Sequence, residues 1–432
     1  MKKILLLALC LVFGASAAMA ATINVWSFSD EVPRMLERYK ANNPDFAYDF
    51  NVTLISTTEG AYQPALDLAL LSGGAAAPHI YAAESAFVLK YTQGDAAHLA
   101  ATYNSLGIDV DNLIRAADIA RYAYEVGTRP SDGEVVALPF QATGGALIYR
   151  RSIAIDTWGA DDPDVIKDRV GPGWEKFLEA AAELKEKGYA IVSGDGDPWH
   201  AINNGSEKGW IVDGKLYIDP AREAFLDISR TLKDNGYMND TRDWQEPWFA
   251  DMMGAGPLPV FAFFGPAWLI NSVMASNAGD TYGDWAICEP PAGFSWGGTW
   301  LLAGRDIGDD IRAGVAEVIE WITLDTSEDG FQYHSANGIL EGPGGTKDTV
   351  SSAVVMAKSD GTLDFLGGQN MFDVFVPAGA NARGDNMTQY DEIINQYWRD
   401  QVRVYTSGQK SREDAIEDFK RNVADNLGIE VV

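Results

Sequence analysis

Cysteine is nearly absent from this sequence: there are two in 432 residues, Cys10 and Cys288. Cys10 falls within a stretch that reads as a leader, where Lys2 and Lys3 precede an apolar run over residues 4–13 and Ala18-Met19-Ala20 offers a small-residue cleavage site before Ala21. Leu9 stands before Cys10 where a lipoprotein signal has a small residue, so the leader reads as cleaved and unlipidated. Cys288 is then alone, which excludes a disulfide within the chain and a cysteine-built metal site. Basic residues are also scarce, 33 against 62 acidic ones, a formal charge of −29 that loss of Lys2 and Lys3 makes more negative. That balance argues against nucleic acid and anionic membrane surfaces as partners. Beyond the leader no apolar run is long enough to span a bilayer. The four histidines, His79, His98, His200 and His334, lack metal-ligand spacing and read as structural. There is no Gly-x-Ser-x-Gly elbow. Gly342-Pro343-Gly344-Gly345-Thr346-Lys347 lacks the spacing of a phosphate loop. No cofactor and no metal are expected, although Asp161-Asp162-Pro163-Asp164 leaves open either a cation loop or a solvated acidic turn.

Tryptophan, by contrast, is abundant, with thirteen residues. The stretch Pro290-Pro291-Ala292-Gly293-Phe294-Ser295-Trp296-Gly297-Gly298-Thr299-Trp300 concentrates the pattern. The prolines fix an extended approach, the glycine pair allows close contact, and the indoles and hydroxyls suit the CH face and OH groups of a sugar. A tight turn among buried aromatics is the alternative.

Along the chain, Thr22-Ile23-Asn24-Val25-Trp26-Ser27 predicts a strand. Val32, Met35, Leu36 and Tyr39 predict a helix, and Val52-Thr53-Leu54-Ile55 a second strand. Leu66, Leu70 and Leu71 then mark a helix closed by Gly73-Gly74, and His79-Ile80-Tyr81-Ala82 a third strand. This alternation predicts a parallel α/β sheet, with ligands outside the carboxyl ends of strands, near Trp26, Ser27, Phe28 and Glu84. Gly144-Gly145 interrupts a long extended segment and marks a domain crossing. A second α/β unit follows: a helix through Trp174, Phe177, Ala181 and Leu184, then strands at residues 190–192, 260–264 and 284–288. Asp195-Gly196-Asp197-Pro198-Trp199 follows the first of these strands and reads as a loop presenting Trp199. Gly342-Pro343-Gly344-Gly345 predicts a third crossing. Ile394, Tyr397 and Trp398 share one helix face, and Ser411 caps a last helix.

Several local motifs occur in an order that resembles the extracellular solute-binding proteins of ABC transporters, in particular their carbohydrate-binding group, which includes maltose-binding protein. They are Val25-Trp26-Ser27, Ala77-Pro78-His79-Ile80-Tyr81, Ala137-Leu138-Pro139 before Leu147-Ile148-Tyr149, Gly265-Pro266-Ala267-Trp268, Pro290-Pro291-Ala292-Gly293 before Gly297-Gly298, and Ser411-Arg412-Glu413-Asp414-Ala415. The resemblance covers the whole chain after the leader. It implies an α/β, two-lobed periplasmic binding protein fold with a three-strand hinge, residues 21–141 and 291–342 forming one lobe and 142–290 and 343–432 the other. It implies a monomer that binds a carbohydrate between the lobes, without catalysis, and hands it to a membrane permease. By matching motifs it places ligand contacts at Glu84, Asp197, Trp199 and Trp268. The sequence departs from the family pattern at His79, Thr143 and Arg150, which bears on the choice of sugar. Strand-end position adds Trp26, Phe28, Trp296 and Trp300, and the crossings add Gln141, Gln369 and Asp373. A binding protein for another polar solute is the alternative within the class. The carboxyl separation that marks a glycoside hydrolase is spatial, so a secreted glycoside-active enzyme is the alternative outside it.

Overall fold

The computed structural model describes residues 21–340, 342 and 344–431; the leader, with Cys10, lies outside the described residues. The elements that position the site run in this order: β1 (Ala21–Ser27), α1 (Glu31–Asn42), β2 (Tyr48–Leu54), α2 (Tyr62–Ser72), β3 (Ile80–Glu84) and β4 (Ala137–Pro139). There follow β5 (Ala146–Arg150), α3 (Trp174–Glu186), β6 (Ala190–Val192), α4 (Gly196–Asn204), α5 (Pro220–Asp234), β7 (Val260–Gly265), β8 (Trp285–Cys288) and β9 (Thr299–Ala303). Three helices complete the set, α6 (Asp309–Thr323), α7 (Asp391–Thr406) and α8 (Arg412–Leu427). Among the described residues no helix is long and apolar enough to cross a membrane.

The strands form two main sheets, one in each lobe, ordered β2-β1-β3-β9-β4 and β8-β5-β7-β6. In the first, β1 runs parallel to β2 and β3, as the strand–helix alternation predicts. β9 instead runs antiparallel to β3 and β4. The sheets are therefore mixed and not wholly parallel, because β9 enters its sheet on return from the other lobe and so approaches from the opposite end. β5 likewise runs antiparallel to both β7 and β8.

Strand alternation divides the first lobe into two apolar cores. Ile80 and Ala82 of β3 face α1, through Val32, Met35, Leu36 and Tyr39, and α6, through Ile311, Val315 and Val318. Tyr81 and Ala83 face the other way, onto Tyr62 and Leu66 of α2. In the second lobe Leu147 and Tyr149 of β5 pack with Phe177, Ala181 and Leu184 of α3, while Ala146 and Ile148 pack with Phe263 and Ile287. Ser411 caps α8 as expected, its hydroxyl accepting the Asp414 N–H at 3.0 Å. Asp162 does the same for the helix Pro163–Val170, taking the N–H groups of Asp164 and Val165, and Asp161 pairs with Arg151 at 2.9 Å. The acidic turn is thus a helix cap.

Three segments cross between the lobes side by side. The first pairs with the second through Gly145 N–H to Phe294 O (2.8 Å) and Trp296 N–H to Thr143 O (3.0 Å). It meets the third through Ser351 N–H to Phe140 O (3.1 Å) and Thr349 Oγ1–H to Ala142 O (2.6 Å). Gly145 is required by contact: a Cβ there would lie 2.0 Å from the Phe294 ring. The third segment joins the others from Thr349, a few residues beyond the Gly-rich stretch that sequence had marked.

Candidate functional site

Between the lobes lies a cavity of 520 Å³, a size suited to a small-molecule ligand. The second crossing segment supplies Trp296, and Ser85 and Ala86 follow β3. α4 supplies His200, the segment at residues 242–245 reaches in from the second lobe, and α7 turns Glu392, Asn395, Gln396, Arg399 and Arg403 toward the space. These five residues recur at helical spacing, on a face other than the one that buries Ile394 and Trp398 in the lobe core.

Indoles form the apolar wall. Trp268 and Trp244 are parallel, with ring centroids 6.0 Å apart and planes 8° off, and Trp296 meets Trp268 edge-on at 4.8 Å. The Trp268 Nε1–H donates to the Trp296 carbonyl at 3.0 Å, which fixes the two rings relative to each other. Gly297 and Gly298 follow with φ of 73° and 108°. Only glycine enters this region freely, and a side chain at Gly297 would press 3.1 Å from the Trp268 indole nitrogen. The glycine pair of the sequence is therefore what lets Trp296 turn out of the crossing segment. Trp244 carries φ of 64°, unusual for a bulky residue, and its ring is 54% exposed. Strain of this kind persists where surrounding structure enforces it, commonly at binding sites.

The polar wall is linked to the indoles. His200 stacks on Trp296 at 3.8 Å, and its Nε2 lies 3.8 Å from Asp243 Oδ2. Arg399 donates to the same Asp243 oxygen at 3.1 Å. Burial pushes the His200 imidazole down to about 4, the neighbouring Asp243 only partly opposing it, so the ring is neutral at neutral pH. His200 Nε2 and Asp243 Oδ1 are buried with no hydrogen-bond partner among the described residues. At the back of the site Asn204 Oδ1 accepts the Ser295 N–H at 2.9 Å, anchoring the end of α4 to the second crossing.

The residues expected from sequence distribute unevenly around this cavity. Trp296 stands at it, with Trp268 packed behind against Trp296 and Trp244. Glu84 ends β3 beside it but is half-buried, its oxygens taking Ser85 Oγ–H (2.7 Å) and Ala86 N–H (2.9 Å). Burial holds its carboxyl above the usual range. Trp199 borders the cavity with only the edge of its ring: residues 196–204 form α4 and not a loop, and the residue is 3% exposed and packed on Phe225 at 4.8 Å. Pro198 permits this because the first turn of a helix has no N–H to lose. Asp197 in the same turn is buried, taking the N–H of Gly194 (3.2 Å) and of the Trp248 indole (3.4 Å). Burial first, and Asp243 second, raise its carboxyl well above the ordinary range.

Trp300, expected as a second platform, borders the cavity but is only 2% exposed on β9 of the first sheet, with its Nε1–H donating to Ala123 O at 2.9 Å. Phe28 packs edge-on against Tyr62 and Phe87, and Trp26 leans on the same cluster. Gln369 completes the edge of β8 like a strand residue, accepting the Ile287 N–H (2.9 Å) and donating to the Ile287 carbonyl (2.8 Å). Asp373 is exposed in the first turn of the helix Phe372–Asn381, away from the cavity. Sequence reasoning passed over Arg242, Asp243, Trp244, His200 and the polar stripe of α7. The stripe's spacing was the available signal for α7, and the density of tryptophan at Trp244 and Trp248 for the loop.

Gln141 belongs to a second interlobe cavity of 290 Å³, lined also by Glu31, Asn271 and Asp348. It donates to Asp348 Oδ2 at 2.5 Å while Thr349 N–H donates to Oδ1 at 2.8 Å. Burial outweighs these bonds and pushes the Asp348 carboxyl up to about 7. An unfolded aspartate releases its proton near about 4. Between these values the folded chain binds the extra proton, so this group's contribution to stability falls as pH rises through that window and is at its least favourable above 7. Asp348→Asn keeps a neutral group there, so the variant gains on the parent in denaturant midpoint from pH 4 to pH 8. An unchanged difference across that range contradicts the assignment.

A galacto-N-biose/lacto-N-biose I-binding protein of an ABC transporter from Bifidobacterium longum is similar in fold. It is 16% identical, with 96% of this chain and 99% of that one covered and a TM-score of 0.68. The sugar-binding protein MalE from Xanthomonas citri is 14% identical over 94% of this chain and 98% of its own, with a TM-score of 0.70. A crystal structure of an extracellular solute-binding protein of family 1 is 18% identical over 94% and 99%, with a TM-score of 0.74. Among curated proteins none is similar enough in sequence to count as a relative. The family model of bacterial extracellular solute-binding proteins matches residues 34–338, and the chain belongs to that family of binding proteins.

Proposed function

We propose that the chain is the binding component of an ABC-type sugar importer, which takes a carbohydrate into the 520 Å³ interlobe cavity and delivers it to a membrane permease. The observation that carries this reading is the wall of Trp244 and Trp296, backed by Trp268, facing a wall of hydrogen-bonding side chains, since a sugar ring has one apolar face and a polar rim. The names of the Bifidobacterium longum and Xanthomonas citri proteins, both sugar binders, support the same class. In this reading residues 21–141 and 291–342 form one lobe, 142–290 and 343–432 the other, and the crossing segments are the hinge about which they close. The protein acts as a monomer in the periplasm. The permease reads the closed state.

Incubation with a glycan panel tests the reading. A bound glycan raises the unfolding temperature, by about 2.7 kcal/mol of stability at a hundredfold excess over Kd, and is recovered intact. It also shifts tryptophan emission, because the three indoles lose water. A cleaved product would make the site glycoside-active, and a panel without any stabilising member would direct the assignment to another polar solute.

A further inference from the structure

The cavity is rich in arginine although the chain is poor in basic residues, 33 against 62 acidic. Arg242, Arg399 and Arg403 line it, and no lysine does. We infer that the ligand is an acidic saccharide whose carboxylate or sulfate is held by Arg242, Arg399 and Arg403. This rests on the carbohydrate reading and narrows its substrate class.

The arginines converge from two elements. Arg399 and Arg403 lie one turn apart on α7, and Arg242 comes from the segment that carries Trp244. They are close enough for Arg399 and Arg242 to add to burial in holding the Arg403 guanidinium below its usual range. The carboxylates nearby take up part of this charge, on Arg399 and Arg403, and leave Arg242 open. Asp243 is committed to Arg399 at 3.1 Å. Asp391 accepts the N–H and O–H of Thr388 at 3.1 and 2.7 Å and lies in the field of Arg222. Glu392 lines the cavity near Glu84 and Arg399, with burial raising its carboxyl above the usual range and Arg399 opposing that. Asp195, whose charge also reaches Arg403, accepts the Ser229 hydroxyl. Asp400 pairs with Arg403 at 2.9 Å, but its side chain is 56% exposed, where an ion pair is weak. Arg242 is exposed; its carbonyl accepts the Gln245 N–H at 3.3 Å, while its guanidinium makes no hydrogen bond or ion pair among the described residues. A guanidinium fork matches the paired oxygens of a carboxylate or sulfate. Two residues along, the exposed ring of Trp244 offers the stacking face, so one sugar unit can lie on the indole and present its acidic group to Arg242.

The experiment is calorimetric titration of the full chain with three sets of trisaccharides of matched linkage: hexuronic acids, their carboxyl-reduced neutral counterparts, and sulfated neutral sugars. An acidic set binds about tenfold or more tighter than the neutral set, and its affinity falls between roughly 0.05 and 0.5 M salt. Which acidic set wins distinguishes carboxylate from sulfate. Arg242→Gln reduces the acid-to-neutral ratio several-fold while its unfolding midpoint stays that of the parent. Neutral sugars binding as well as acidic ones, or a ratio unmoved in Arg242→Gln, would overturn the inference and leave the carbohydrate reading standing. Binding of none of the three sets would overturn both.

Discussion

Trp199→Ala lowers the unfolding free energy by about 3–5 kcal/mol, the range for deleting a large buried aromatic. The ring is 3% exposed and belongs to the apolar core of the second lobe with Phe225, Ala201 and Ile202. It packs on Phe225 of α5 at 4.8 Å, so truncation leaves a hole between α4 and α5. α4 also carries His200, which stacks on Trp296, and Asn204, which holds the second crossing segment. Loosened packing beneath α4 therefore weakens ligand binding as a secondary effect. Chemical denaturation separates the two: the midpoint drops steeply in Trp199→Ala, whereas a ring that served only as a sugar platform would leave it unchanged.

The outcome at Trp199 shows where sequence stops being informative. Strands and helix faces were legible because burial imposes a period, as in Ile80, Tyr81, Ala82 and Ala83 of β3, which divide between two cores. The two glycine pairs were legible because close approach and positive φ admit little else. Pro198 was ambiguous, since an extended loop and the first turn of a helix accept proline equally, and the helix leaves only the edge of Trp199 at the cavity. Trp300 was ambiguous in a similar way: a strand-end tryptophan beside glycine can border a cavity and still be mostly buried when its N–H reaches a carbonyl, here that of Ala123. The meeting of Asp243 with Arg399 joins residues 156 apart in the chain, and no local pattern announces it. Gln369 acts through an amide that imitates backbone at the edge of β8, a role that composition cannot reveal.

Trp244→Ala has the opposite signature: it removes most binding and leaves the fold intact. With 54% of its surface exposed, Trp244 contributes little to any core, and its φ of 64° means that the position already bears strain, which alanine neither adds to nor depends on. Surface changes of this kind stay within about 0.5 kcal/mol of the parent in stability. The indole is nevertheless the outer face of the aromatic wall, parallel to Trp268 at 6.0 Å and edge-on to Trp296 at 6.1 Å. A sugar ring lying on it buries apolar surface worth on the order of 2 kcal/mol or more, since aromatic hot spots commonly exceed the area estimate. At about 1.4 kcal/mol per decade that is roughly thirtyfold in Kd. Titration with the glycan that stabilises the parent measures the loss, and a denaturant curve on the same preparation measures the fold. Parent-like affinity in Trp244→Ala would remove this indole from the binding wall and leave stacking to Trp296.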